Sequence, residues 1–224
     1  MKSFPARSYI GIAFLGMLLI TVVVVVVRDK AHQDRVSRLQ STLSSDEKKI
    51  AIFDDRSERI RVSYNTANDL GNNLFKDDGL PQGIGLYQVY ADRLAKYGEA
   101  IKNLRAESES GIHHLPKTYS DNYQADMSAA SAKADTVLDA TTSMRSTLLG
   151  ILNMPLMALG MTKDGGYSMG QSFGKASKKF EDSEHAIYKR MQDDAEKLAA
   201  AKENDTKALS NAKNESFFQA VITE

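Results

Sequence analysis

Glu181 and His185 stand four residues apart with Glu184 between them, a spacing that puts two metal-binding side-chain types on one helical face. Charged helix faces are mostly solvated, so the pattern reads first as surface and second as a metal site. His113 and His114 sit beside Pro116, where a polar turn is the ordinary explanation. GQSFGKAS, Gly170 to Ser177, superficially resembles a phosphate-binding loop. That loop needs four residues between its glycines and Ser or Thr directly after Lys; here there are three, and Ala176 follows Lys175. Gly83-Ile-Gly85 lacks the third glycine of a dinucleotide fingerprint. The acid pairs Asp54-Asp55 and Asp193-Asp194 fall on helix exteriors, where nothing raises a carboxylate for acid–base work. No HExxH, GxSxG or Ser-Lys signature occurs. The expectation is a chain that is not an enzyme and takes no cofactor and no metal.

Two other segments could carry binding. STLLGILNMPLMALGMT, Ser146 to Thr162, is 17 residues without a charge. Its Met154, Leu156, Met157, Leu159 and Met161 would suit an adaptable partner-binding surface. The same segment could pack as the tip of a helix and its turn, or enter a membrane. Gly150, Asn153, Pro155 and Gly160 argue against a plain spanning helix. Gly166, Gly170 and Gly174, four apart, would form a bare stripe for close helix packing, or else a glycine-rich entry to a helix.

The elements that must position these residues are helices. From Val36 a 3–4 spacing visits Leu39, Leu43, Asp46, Ile50, Phe53, Ser57, Ile60, Tyr64, Ala67, Gly71 and Leu74. Nine of these twelve positions are apolar or aromatic, a seam of coiled-coil type. Lys76 to Gly85, KDDGLPQGIG, is a turn by composition. A second seam runs through Leu86, Tyr90, Leu94, Tyr97, Ile101 and Leu104. After a break at Pro116, Thr118 and Asp121 fit a capping box opening a third helix, whose seam runs from Tyr123 to Ile151. The fourth follows Met169, Phe173, Ala176, Phe180, Ile187, Met191, Leu198, Leu209 and Ala212, with Ala199 to Ala208 helical by propensity and by pairs such as Glu203 with Lys207. The predicted fold is all-α, an antiparallel bundle with helices over about 30–75, 86–109, 119–152 and 168–220.

Ahead of the bundle, Tyr9 to Val27 reads YIGIAFLGMLLITVVVVVV, 19 residues without a charge and long enough to span a bilayer as a helix. The run exceeds the apolar region of a cleavable signal and ends in Arg28, Asp29 and Lys30 rather than small residues. The expectation is a short basic tail (1–8), a single-pass signal anchor (9–27) and a bundle domain (28–224). A plain count of flanking cations slightly favours a cytoplasmic domain. A short basic tail before an apolar run is nonetheless the usual export signal, which places the domain outside the cytoplasm, in the periplasm of a bacterium.

Lys plus Arg and Asp plus Glu both number 29, interleaved along the chain, which argues against nucleic acid. Cysteine is absent, which removes thiol chemistry and disulfides. No motif assigns the chain to a family. In layout it is similar to the extracytoplasmic four-helix sensor modules of bacterial receptors, without their second membrane helix or signalling segment. The leading expectation is an envelope protein that binds another protein or a second copy of itself, as an assembly, accessory or immunity-type inhibitor subunit. The alternatives are a ligand-sensing bundle and a membrane-perturbing protein acting through Ser146 to Thr162.

Overall fold

The computed structural model describes the backbone of residues 6–76, 84–152 and 163–214, and the side chains of 17–76, 85–152 and 172–214. Every element among these residues is helical: α1 (Ala6–Asn72), α2 (Ile84–His113), α3 (Lys117–Leu152) and α4 (Lys163–Asn214). Two compact units divide the chain, residues 49–197 and residues 1–48 with 198–224.

The unit of residues 49–197 is a bundle in which sequence neighbours are antiparallel. Along α1 and α4, Tyr64 meets His185 with ring centroids 5.6 Å apart, whereas Gly71, one heptad later, lies beside Glu181. Along α2 and α3, Gly98 faces Thr141, and Arg105 Nη1 donates to Asp135 at 2.6 Å. Along α3 and α4, Tyr123 reaches Asp194 and Lys133 reaches Ser183. The pair α2 and α4 advance together, Tyr97 bonding Ser177 and Ser108 bonding Glu184. An up-down-up-down order of the four helices gives this arrangement directly.

The seams are what the bundle buries. None of the twelve seam positions from Val36 to Leu74 is exposed, the polar Asp46 and Ser57 included. Phe53, Ile60, Leu94, Tyr97, Ile101, Leu104, Tyr123, Val137 and Phe180 are all fully enclosed. Two glycines permit close approach of α1 and α2: a Cβ at Gly111 would stand 3.1 Å from Ile60 Cδ1, and one at Gly71 3.1 Å from Tyr97 Cε2.

In the other unit, Leu198 and Ala212 are buried, Val36, Leu39, Leu43 and Leu209 half-buried, and Lys202 Nζ pairs with Glu47 Oε1 at 2.9 Å. The polar stretch Ala199 to Ala208 is helical, and Lys207 pairs with Glu203 at 2.7 Å. α1 runs unbroken through Ser44, Ser45 and Asp46.

At the start of α3 the structure departs from the expected capping box. Tyr119 and Ser120 donate their backbone N–H to Pro116 O at 2.8 and 3.0 Å, so Pro116 takes the cap position and Thr118 lies already inside the helix. Proline lacks a donor and costs nothing there.

Among the described residues, no helix is long and apolar enough to cross a membrane. Of the stretch Tyr9 to Val27, the backbone is helical throughout, and the side chains of Tyr9 to Gly16 lie outside the described residues.

Candidate functional site

Two features of the 49–197 bundle have the chemistry of a site: a ladder of buried polar groups and an open cleft.

The ladder starts from the seam of α4. Stepping from Phe173 by four, three, four and three reaches Ser177, Phe180, Glu184 and Ile187, and all five are buried. Tyr97 Oη bonds Ser177 Oγ and donates to Glu181 Oε1 at 3.0 Å. Two turns along α4 from Ser177, Ser108 Oγ donates to Glu184 Oε2. Burial pushes the Glu184 carboxyl up to about 7, with the Ser108 bond pulling it down and the Glu109 charge adding to the rise. Burial likewise raises Glu181 and the Tyr97 phenol. Farther along, Tyr123 Oη donates to Asp194 Oδ2 at 2.8 Å, and the Arg190 guanidinium lies over the Tyr123 ring at 4.6 Å. Burial and the Asp194 carboxylate raise the Tyr123 phenol. No buried side-chain nitrogen or oxygen among the described residues lacks a hydrogen-bond partner. Glu184, 1% exposed, lies out of reach of a substrate, and its burial favours the protonated form.

The Glu181, Glu184 and His185 cluster is not brought together. Glu181 faces Tyr97, Glu184 faces Ser108, and His185 stacks against Tyr64 and Tyr188 at centroid distances of 5.6 and 4.8 Å. Among the described residues no group of three or more His, Asp or Glu could hold a metal ion. Spacing narrows the inward position to 176 or 177 between Phe173 and Phe180, where the structure buries Ser177 rather than the expected Ala176, and it narrows the next step in the same way. Between Phe180 and Ile187 a 3–4 rhythm must land on 183 or 184, whatever residue is there.

The cleft, of about 650 Å³, runs along α2. Leu94, Ala95, Gly98 and Ala100 give it an apolar floor of mostly small residues, with Ser63, Thr66 and Leu70 of α1 and Leu138, Thr142 and Arg145 of α3 at its sides. Three cations, Lys96, Lys102 and Arg145, line it against one carboxylate, Glu99. Glu99 is taken by Lys102 at 2.9 Å.

Of the residues expected to bind a partner, Met154, Leu156, Met157, Leu159 and Met161 lie outside the described residues. Of that segment Ser146 to Leu152 is described, at the end of α3: Ser146 and Thr147 are exposed and Leu148 to Leu152 half-buried. Gly166 and Gly170 are on α4, with surroundings outside the described residues. Gly174 is exposed, and among the described residues a Cβ built there meets nothing within 4 Å, so no described helix approaches that position. Gly174→Ala is therefore expected to stabilise the fold by about 0.5–1 kcal/mol, because alanine loses less backbone freedom in a helix. A urea titration of both proteins measures it, and a destabilised variant would mean that α4 packs closely there.

No family model matches the chain, and no curated protein and no solved structure matches it either.

Proposed function

We propose that this is a membrane-anchored, non-enzymatic bundle protein of the cell envelope that works by binding another protein, as an assembly, accessory or inhibitor subunit. The observation that carries the anchor is the surface of α1 from Met17 to Val27. Nine large apolar side chains there are each 50–71% exposed. They are Met17, Leu18, Leu19, Ile20, Val22, Val23, Val24, Val26 and Val27. Residues this nearly consecutive point in every direction around a helix, so one partner helix could cover only a stripe of them. A bilayer covers the whole circumference. Each such side chain gains roughly 1.5–3 kcal/mol on leaving water. With Tyr9 to Gly16 included, the uncharged run reaches 19 residues, the length a hydrocarbon core requires. The protein-binding role rests on the absence of catalytic signatures in the sequence and on the Met-rich stretch Met154 to Met161 as the docking surface.

Carbonate extraction of cell membranes tests the anchor. The full chain is expected in the pellet, and a Leu19→Arg/Val23→Arg variant largely in the supernatant; native chain in the supernatant would end the anchor reading. Protease added to intact and to lysed cells then places the bundle. Digestion only after lysis of the inner membrane would move it to the cytoplasm. Pull-down with Met154, Leu156, Met157 and Leu159 replaced by Ser tests the docking surface, and unchanged capture by a folded variant would remove it.

A further inference from the structure

We propose that the α2 cleft is a binding site for a small organic anion carrying a flat or compact apolar body. Among the described residues, neither Lys96 nor Arg145 has an ion-pair partner, although both line the same cleft. Lys102 is already neutralised by Glu99, so the two remaining cations set the field inside. They lie on different helices, Lys96 on α2 and Arg145 on α3. The chain as a whole carries no net charge, which makes a locally uncompensated pair informative. An anion entering a partly enclosed cleft gains charge-assisted hydrogen bonds from both, and arginine can offer two parallel donors to one carboxylate or sulfonate.

The rest of the lining fixes the other half of the ligand. Leu70, Leu94 and Leu138 present apolar surface, and at Gly98 the Thr141 methyl lies against α2, adding to it. The Thr66 and Thr141 hydroxyls donate to Val62 O and Val137 O of their own helices, so they offer methyl groups and lone pairs rather than donors. Donors therefore come from Lys96, Arg145, Ser63, Thr142 and Asn103 at the margins, and the centre is greasy. A cleft of about 650 Å³ falls in the range that holds a ligand of metabolite size. The proposal does not depend on the anchor or on a protein partner.

The test is isothermal titration of the full chain in a non-ionic detergent with 2-naphthalenesulfonate, beside 2-naphthalenesulfonamide, which keeps the rings and removes the charge. The sulfonate is expected to bind, the sulfonamide several-fold more weakly, and affinity to fall as salt is raised. Lys96→Glu/Arg145→Glu is expected to weaken the sulfonate by about tenfold or more. Both side chains are exposed, and circular dichroism checks that the double variant keeps its helices. Thr142→Phe, which narrows the mouth without touching charge, is expected to reduce binding as well. Heat from each ligand partitioning into detergent is measured in protein-free titrations and subtracted. Equal binding of sulfonate and sulfonamide, no binding of either, or an affinity unchanged in the double variant would each overturn the proposal.

Discussion

Stability is expected to fall by about 3 kcal/mol as pH rises from about 4.5 to about 8, and Glu184→Gln is expected to remove most of that fall. Burial raises the Glu184 carboxyl from 4.5 to about 7, so the folded state holds this proton more tightly than the unfolded chain does. The favourable difference is complete below the unfolded value of 4.5 and is lost as pH rises through about 7. Glu181, also raised by burial, acts in the same direction. Glutamine keeps an oxygen for the Ser108 hydroxyl and never ionises, so at about pH 8 the variant should be the more stable protein by a few kcal/mol. Urea titrations at intervals across this range measure both proteins. Parallel pH profiles would show that the carboxyl is not held dry in solution.

Phe180→Ala is expected to cost about 3–5 kcal/mol, the usual loss for a large aromatic side chain removed from a packed interior. Phe180 is fully buried and sits one turn from both Ser177 and Glu184, as the apolar spacer between two polar rungs. Its removal leaves a void beside groups that can hold water. The variant should therefore show a second effect that a plain cavity would not: a flatter pH profile, as Glu184 becomes hydrated and moves back towards its ordinary value. Phe180→Leu should recover most of the stability and the pH dependence together. A loss below about 1 kcal/mol would place Phe180 at the surface rather than the centre.

The helical character was open to reading because the rule that generates it is simple. A side chain that must face inward recurs every three or four residues, and that rhythm predicted the buried face of α1 through Asp46 and Ser57 despite their polarity. The same rhythm on α4 is marked by greasy residues at most steps, and Glu184 reads by type as a surface acid. Hydropathy marks what water repels; it does not mark a carboxyl whose proton is favoured by burial, against the pull of a donating serine hydroxyl. The α3 cap was misplaced for a related reason. Thr118 and Asp121 have the right types, but Pro116 O was already receiving the first turn's N–H groups. The cleft had no signal at all, since Lys96 and Arg145 are 49 positions apart in the chain and share a site only once α2 and α3 lie side by side.

The rungs formed by Tyr97 with Ser177 and Glu181, by Ser108 with Glu184, and by Tyr123 with Asp194 answer an ambiguity that oily seams leave open. Apolar ridges look alike after every heptad, so α4 could slip lengthwise by about 10 Å and still find grease opposite grease. Each slipped alignment would strand three acids without their hydroxyl mates. The rungs therefore act as a vernier, rejecting every offset but one.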